Sequence, residues 1–301
     1  MGEFDLSIVK NPRIYEQNRL AAHSDHEAYS NYRELCDGSD NSLRKSLNGV
    51  WFFHYAKNFG QMPQGFERDD FDVSGWSSIR VPGHFETQGH GKPHYTNVCY
   101  PWDGREKVVP GEIPTRFNAV GSYVTFFETS WDWQNCFICF DGVDSAYAVF
   151  LNGHYVGYAT GSFTPSDFDL TPYLRRGQNR LAVRVFKYSS GSHLEDQDFW
   201  RLSGIFRGVH LYTKPAIHLE DIFVKATLDD SYQKPLLSGH LKLSAPGAVQ
   251  LYLLDKEGKV ASNYFVVGDN NECDFTLDVS ALDIKPWSAE HPNLYLSLIH
   301  I

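Results

Sequence analysis

The sequence lacks the features of a membrane protein or a nucleic-acid-binding protein. It has no apolar run of about 18 residues, the length that a membrane-spanning helix needs. Lys and Arg number 27 against 37 Asp and Glu, which gives a net charge of −10, and they form no basic block. Because phosphate binding needs clustered cations, we expect neither a nucleic-acid partner nor a membrane partner.

A secretory signal is also missing from the start of the sequence. The opening stretch, MGEFDLSIVKNPRIYEQN, has early acidic residues and no apolar core of the kind that a signal peptide contains. We therefore expect a cytoplasmic protein, with a periplasmic location left open if the N-terminus is incomplete.

Cysteines are few, odd in number and scattered, which argues against a disulfide framework and for a reducing compartment. Cys136 and Cys139 form a C-x-x-C, but they lie in NCFICFDGV, which has the pattern of a buried strand. Residues three apart on a strand point to opposite faces, so we predict buried thiols that do not chelate one ion together. The 13 histidines form no helical H-x-x-x-H pair, so the sequence gives no argument for zinc.

Aromatic residues are abundant, at 15% of the chain, as is typical of a β-rich core or of a sugar-binding surface. Short strand-like runs alternate with turn signals from Leu47 onward. In LNGHY, Asn152-Gly153 separates two such runs and predicts a two-residue hairpin turn. We predict an all-β protein: an extended segment over 1–45, with a short helix or irregular stretch in His23–Gly38, then a jelly-roll sandwich over 46–213.

The pattern changes near Lys214, where a new series of strands begins. About six strands, with a hairpin loop at Asp255–Gly258, predict an immunoglobulin-like sandwich over 214–301. No alternation of strands with helices is present, so we expect neither a Rossmann unit nor a (β/α)₈ barrel within the chain.

An acidic stretch, SHLEDQDFWRLSGIFRGVHL, is the first candidate for a functional site. Glu195, Asp196 and Asp198 precede an aromatic pair, and carboxylates beside aromatics suit a sugar or a hard cation. The alternative is a solvated loop before a strand, with Arg201 and Arg207 paired to the acids. The spacing alone leaves both interpretations open.

Several segments together resemble the amino-terminal part of a large, multidomain bacterial β-galactosidase of glycoside hydrolase family 2. FTPSDFDLT together with LEDQDFWRLSGIFR is the most specific combination. The resemblance runs in order through NRLAAHS (18–24), SLNGVWFF (46–53), HYTNVCYP (94–101), the stretch 141–211, and KPWSAEHPNLY (285–295).

The resemblance implies a jelly roll, an immunoglobulin-like domain and then a barrel that carries two catalytic glutamates. The chain ends before that barrel would begin, so we expect no catalytic residue within it. The aspartate matching Asp198 helps bind sodium and the galactosyl group, and the asparagine matching Asn97 contacts the substrate. Glu16 matches a position near a second magnesium ion. The alternatives are a turn-capping Asn97 and a surface Glu16.

The last six residues, LSLIHI, are the translation of CTGTCTCTTATACACATC, a transposase end sequence used in sequencing libraries. We therefore interpret Leu296–Ile301 as adapter read-through on a truncated gene. The expected last strand of the second sandwich would then be cut short.

Taken together, these features predict part of a retaining β-galactosidase that acts on terminal β-D-galactosides such as lactose and is inactive as this fragment. Its expected partners are the substrate, the missing C-terminal barrel and later domains, and copies of itself, since the family forms tetramers. Mg²⁺ and Na⁺ are the cofactors that the resemblance implies. A stand-alone carbohydrate-binding module, a complementation fragment, and a fragment of a β-glucuronidase or β-mannosidase remain as alternatives.

Overall fold

A computed structural model describes residues 4–37, 41–109, 111–129, 133–231, 234–258, 260–279 and 283–301. Their regular elements are mainly β-strands, which confirms the predicted all-β class. The chain divides into two compact units. The first comprises Met1–Ala21 and Tyr29–Thr213, and the second comprises Ala22–Ala28 and Lys214–Ile301.

The regular elements are short. The helices are α1 (Ser7–Lys10) and α2 (Tyr32–Asp37), with 3₁₀ turns at Phe59–Gln61, Glu86–Gln88, Thr171–Tyr173 and Ser190–His193. The strands are β1 (Glu16–Gln17), β2 (Arg44–Ser46), β3 (Gly49–Ala56), β4 (Ser77–Val81), β5 (His94–Thr96), β6 (Val120–Glu128), β7 (Phe137–Phe140), β8 (Val143–Asp144), β9 (Ala146–Leu151), β10 (His154–Thr160), β11 (Ser166–Asp169), β12 (Gln178–Phe186), β13 (Phe199–Arg201), β14 (Gly204–Ile205), β15 (Val209–Tyr212), β16 (Leu219–Leu228), β17 (Pro235–Leu243), β18 (Gly247–Leu254), β19 (Val260–Val267), β20 (Glu272–Leu277) and β21 (Leu296–His300).

The first unit is a sandwich of two antiparallel sheets. A seven-stranded sheet has the order β1-β10-β9-β12-β6-β3-β4, and a four-stranded sheet has the order β11-β7-β15-β2. One cluster of buried apolar side chains joins them, with Leu181, Val183 and Val185 from the large sheet and Ile138 and Phe140 from the small one. Leu181, Val183 and Val185 alternate with other residues in LAVRVF and therefore share one face, as the sequence predicts.

The large sheet is also covered on its other face. Ile8 and Val9 of α1 belong to a second cluster with Tyr158 and Phe186, and Phe66 joins a third with Ala148. Strand β9 is therefore buried along its whole length. This explains its continuous apolar sequence, AYAVFL, because a strand with two covered faces has no polar side.

The predicted hairpin turn joins β9 to β10. Asn152 and Gly153 have φ angles of 52° and 82°, and Leu151 pairs with His154. Two consecutive positive φ values match the type I′ turn that Asn-Gly favours. A hydrogen bond from the Asn152 side chain to the carbonyl oxygen of Tyr173, at 2.8 Å, stabilises the turn.

The second unit contains two three-stranded sheets, ordered β16-β17-β20 and β19-β18-β21. Leu241 and Phe275 from one sheet share a buried cluster with Val249 and Leu251 from the other. The predicted hairpin loop is present, with the Gly258 N–H donating to the Asp255 carbonyl at 3.0 Å.

The two ends of the chain take part in these sheets. Within residues 1–45, α1 and α2 are helical, β1 pairs with β10 and β2 pairs with β15. Leu296–His300 forms β21, which pairs with β18. No helix among the described residues is long and apolar enough to cross a membrane.

Candidate functional site

The two stretches singled out from the sequence meet in a two-stranded ribbon. Strands β5 and β13 pair antiparallel, with Thr96 opposite Phe199 and Tyr95 opposite Trp200. Asn97 follows Thr96 and Asp198 precedes Phe199, so the register places these two side-chain positions next to each other at one end of the ribbon. Both residues are exposed.

A tyrosine that the sequence analysis leaves unassigned binds the candidate aspartate. The Tyr95 hydroxyl donates to Asp198 Oδ1 at 2.6 Å, a length typical of a charge-assisted bond. The hydrogen bond raises the pKa of Tyr95, because the neutral phenol is the form that donates to the carboxylate. The sequence signal for this contact is weak, since it depends on the strand pairing.

Arg201 organises the acidic loop from inside. Its side chain is 6% exposed, and its guanidinium donates to Thr96 Oγ1 at 3.1 Å and to Asp196 Oδ1 at 2.6 Å. It also donates to the carbonyl oxygens of Glu195 at 3.1 Å and Gln197 at 2.8 Å. A planar group with several fixed donors can hold a loop in one conformation. These hydrogen bonds therefore order the acidic loop, which is not simply a solvated loop.

The three acids of the loop have different roles. Asp196 pairs with Arg201. Glu195 accepts from the backbone N–H of Ser162 at 2.9 Å and from its hydroxyl at 2.7 Å, which ties the loop to the turn before β11. Asp198 is the acid of the three whose carboxylate is exposed, with Tyr95 on one of its oxygens.

Trp200 and Arg207 are the aromatic and basic neighbours of the loop. Trp200 is 55% exposed, and its ring centroid lies 5.7 Å from that of Tyr95. Arg207 donates to the Phe163 carbonyl at 2.7 Å. Of the two arginines weighed as partners of the acids, Arg201 therefore forms the ion pair with Asp196.

A buried ion pair that sequence reasoning missed lies beneath the ribbon. Lys187 donates to the Glu86 carboxylate and to the Arg201 carbonyl at 2.9 Å. Glu86 also accepts from the Ser203 N–H at 2.8 Å. Burial raises the pKa of Glu86, and the Lys187 cation opposes that rise. This pair ties the end of β12 to the 3₁₀ turn Glu86–Gln88 and to the end of β13.

Asp144 lines a small cavity of about 20 Å³ behind the loop, together with Lys187, Glu195 and Arg201. Burial and the nearby Glu195 carboxylate raise the pKa of Asp144 to about 8. Both effects disfavour the charged form. No motif in the sequence marks Asp144 as unusual, because its shift depends on groups from distant strands.

Glu16 and Asp198, the two residues that the resemblance links to metal ions, have different surroundings. Glu16 accepts from the Arg19 guanidinium at 3.1 Å, and its assignment to Mg²⁺ stays a prediction. Asp198 has an exposed carboxylate that fits as one oxygen ligand of Na⁺. Neither residue belongs to a group of three or more His, Cys, Asp or Glu ligand atoms in the described part of the chain.

Comparison with known proteins gives the family. Residues 44–215 match the sugar binding domain of glycosyl hydrolases family 2. The chain is 44% identical over 294 residues to a β-galactosidase of Clostridium acetobutylicum, covering 96% of this chain and 33% of the relative. It is 46% identical over 301 residues to a β-galactosidase of Lactobacillus delbrueckii subsp. bulgaricus, covering 98% of this chain and 29% of the relative.

Solved structures share the fold at lower identity. A Bifidobacterium dentium β-glucuronidase matches with a TM-score of 0.64 and 19% identity, covering 87% of this chain and 45% of that one. A family 2 member from Bacteroides cellulosilyticus matches with a TM-score of 0.62 and 22% identity, covering 85% and 34%. The chain thus spans a third or less of the length of the two β-galactosidases. It belongs to glycosyl hydrolases family 2 and carries the sugar binding domain of that family.

Proposed function

We propose that this chain is the amino-terminal part of a β-galactosidase and forms one wall of its sugar pocket. The observation that supports the proposal best is the adjacency of Asn97 and Asp198 at one exposed end of the β5–β13 ribbon. The 44–46% identity to β-galactosidases supports galactosides over glucuronides. The β-glucuronidase neighbour is only 19% identical, which supports the fold alone.

The two side chains suit a sugar with adjacent hydroxyls. An asparagine amide offers a donor and an acceptor, so Asn97 can match a hydroxyl in either role. Tyr95 holds one oxygen of Asp198, which orients the carboxylate and leaves it able to accept from the sugar. In this proposal Asp198 also supplies one oxygen ligand to Na⁺, and the other ligands come from polypeptide outside this chain.

The bond-breaking groups lie elsewhere in the proposed enzyme. A retaining glycosidase uses two carboxylates about 5 Å apart, one as nucleophile and one as acid/base. In the family that the sequence resembles, both are glutamates of the barrel. The contribution of this chain is therefore orientation of the galactose, which lowers the barrier by positioning. We infer that the chain alone is inactive and that the whole enzyme is a homo-oligomer.

A chimera tests this role in a working enzyme. Residues 1–295 of this chain would replace the matching part of the 46% identical Lactobacillus delbrueckii β-galactosidase. Asp198→Asn and Asn97→Ala should each lower kcat/KM for a chromogenic β-galactoside by roughly 10- to 100-fold, as expected for losing a buried hydrogen bond to substrate. Asp198→Asn should also change the dependence on sodium.

Asp72→Asn is the matched control for the chimera. Asp72 is an exposed aspartate whose two oxygens accept from the Ser74 N–H and hydroxyl. Asparagine keeps an oxygen for the N–H, and its amide can donate to the Ser74 hydroxyl. Its kinetics should stay at the parent level. Parent-level kinetics in Asp198→Asn and Asn97→Ala as well would refute the pocket role.

A stand-alone carbohydrate-binding module is the second candidate. The exposed ring pair of Tyr95 and Trp200 beside Asn97 favours it, because aromatic faces stack on sugars. Calorimetry of the chain with galactose separates the two. A module should bind galactose in isolation, whereas a pocket wall should bind it only within the whole enzyme.

A further inference from the structure

A second cluster of reactive side chains lies on the outward face of the four-stranded sheet. Cys139 of β7 and Asp141, just beyond the end of that strand, are two positions apart and therefore share a face. His210 of β15 is the cross-strand partner of Cys139. Ile138 and Phe140, on either side of Cys139, point into the core, so the cluster faces away from it.

The donor atoms have the spacing of ligands around one ion. Cys139 Sγ lies 3.5 Å from Asp141 Oδ1, and His210 Nδ1 lies 3.7 Å from the same oxygen. One ligand atom from each residue lies within 4.8 Å of the other two. A tetrahedral zinc with bonds of about 2.3 Å to sulfur and about 2.0 Å to nitrogen and oxygen separates its ligands by roughly 3.3–3.5 Å.

The surroundings allow an ion to enter. Cys139 is buried, at 7% exposure, whereas the His210 and Asp141 side chains are partly exposed. Asp141 and His210 line an open recess of about 270 Å³ together with Ser46 and Asn48. A water molecule from this recess can complete a four-coordinate site.

The local charge also favours a cation. Asp167 of β11 is the cross-strand partner of Cys139 on the other side, and its buried side chain interacts with that thiol. Two carboxylates therefore flank the sulfur. Thiolate and imidazole ligands select zinc over magnesium or calcium, which prefer oxygen ligands alone.

We propose that Cys139, Asp141 and His210 bind one Zn²⁺ ion, which links β7 to β15. The site is independent of the proposed galactosidase function and of the magnesium and sodium sites that the sequence resemblance implies. It uses Cys139 alone of the C-x-x-C pair. Cys136 is fully buried in the core cluster between the sheets, on the opposite side of the sheet.

One neighbouring cation should oppose zinc binding. Arg44 Nη2 lies 3.2 Å from His210 Nδ1 and its side chain is exposed, so it must move away when that nitrogen binds a metal. Arg44→Ala should therefore tighten the complex. Unchanged or weaker binding in this variant would count against the proposed ligand atom.

Titration of the metal-free chain with Zn²⁺ and with Co²⁺ tests the site. We expect one ion per chain and, with Co²⁺, a thiolate-to-cobalt charge-transfer band. Cys139→Ala, Asp141→Ala and His210→Ala should each weaken binding by more than about 100-fold, since loss of an outer-shell partner already costs 10- to 100-fold.

Two variants serve as controls and should bind as the parent does. Cys36→Ala removes an exposed thiol. His240→Ala removes a histidine of the second unit that lies 2.9 Å from Asp274 and 3.8 Å from Glu272. Binding that is lost in a control and kept in Cys139→Ala would overturn the proposal. If Cys139→Ala does not fold, the spectrum of the parent decides, because a cobalt complex without the thiolate band excludes this ligand set.

Discussion

The two units of the chain are both β-sandwiches, yet they bury different kinds of residue. Strand β9 of the first unit is buried throughout, whereas β16 of the second is mostly exposed beyond Leu219. Every buried polar or charged side chain among the described residues belongs to the first unit. A sheet covered on both faces has room for buried polar networks, whereas a sheet with one covered face keeps its polar groups in water.

This difference shows why the candidate sites lie where they do. The first unit holds Arg201, Lys187 and Glu86 in buried positions, each at 8% exposure or less. Buried charges are costly unless they are paired and hydrogen-bonded, and each of these three is. Among the described residues of the second unit, no charged side chain is buried.

The largest effect should come from breaking the buried ion pair. Lys187→Met leaves the Glu86 carboxylate buried without its cation and should cost about 3–5 kcal/mol in the free energy of unfolding. Hydrogen exchange measured by peptide should show lower protection in the first unit and unchanged protection in the second. The double variant Lys187→Met/Glu86→Leu should recover most of the loss, and a single variant as stable as the parent would contradict the comparison.

A smaller effect should follow from the raised pKa of Asp144. The folded protein holds this proton up to about pH 8, whereas the unfolded chain releases it near 3.8. The contribution of this group to the free energy of unfolding is therefore fully present below about pH 4, and it is lost as the pH rises through 8. Asp144→Asn should remove that loss, which amounts to about 1.4 kcal/mol per pH unit between the two pKa values.

Denaturant unfolding across this pH range measures the Asp144 effect. Asp72→Asn is the control, because hydrogen bonds from Ser74 lower the pKa of Asp72, and its titration ends below the window. A parent and an Asp144→Asn variant with parallel pH profiles would show that Asp144 is not protonated in the folded chain.

The smallest effect should come from an exposed pair in the second unit. His240 lies 2.9 Å from Asp274, with both side chains largely in water. His240→Ala should change the free energy of unfolding by less than about 1 kcal/mol, since water screens such pairs. The measurement is the urea midpoint of the second unit, and a loss as large as that of Lys187→Met would erase the distinction between the two units.

Much of the fold was predictable because it depends on local rules. The Asn152-Gly153 turn follows from two residues that tolerate positive φ, and the inward face of LAVRVF follows from the period of two in a strand. The opposite faces of Cys136 and Cys139 follow from the same period. Helix α1 was not predicted, because four residues carry too little helical pattern and its stability comes from packing on the large sheet.

The candidate site was predictable only in part. The acidic stretch and Asn97 were marked by composition and by resemblance, but the contact of Tyr95 with Asp198 depends on the β5–β13 register. The separate roles of Glu195, Asp196 and Asp198 depend on where Arg201 and Ser162 lie. Glu86, Lys187 and Asp144 come from three distant parts of the chain, so no local pattern marked them.

The sequence by itself determined the all-β class, the main turns, the alternation within strands and the family. The first three depend on short-range sterics and on which side chains avoid water, whereas the family was indicated by the resemblance of whole segments. Only the tertiary structure decided which of three acids stays exposed, which charges are buried in pairs, and that Cys139, Asp141 and His210 converge. The physical reason is that strand pairing joins residues far apart in sequence, and charges and ligand atoms interact through distances in space.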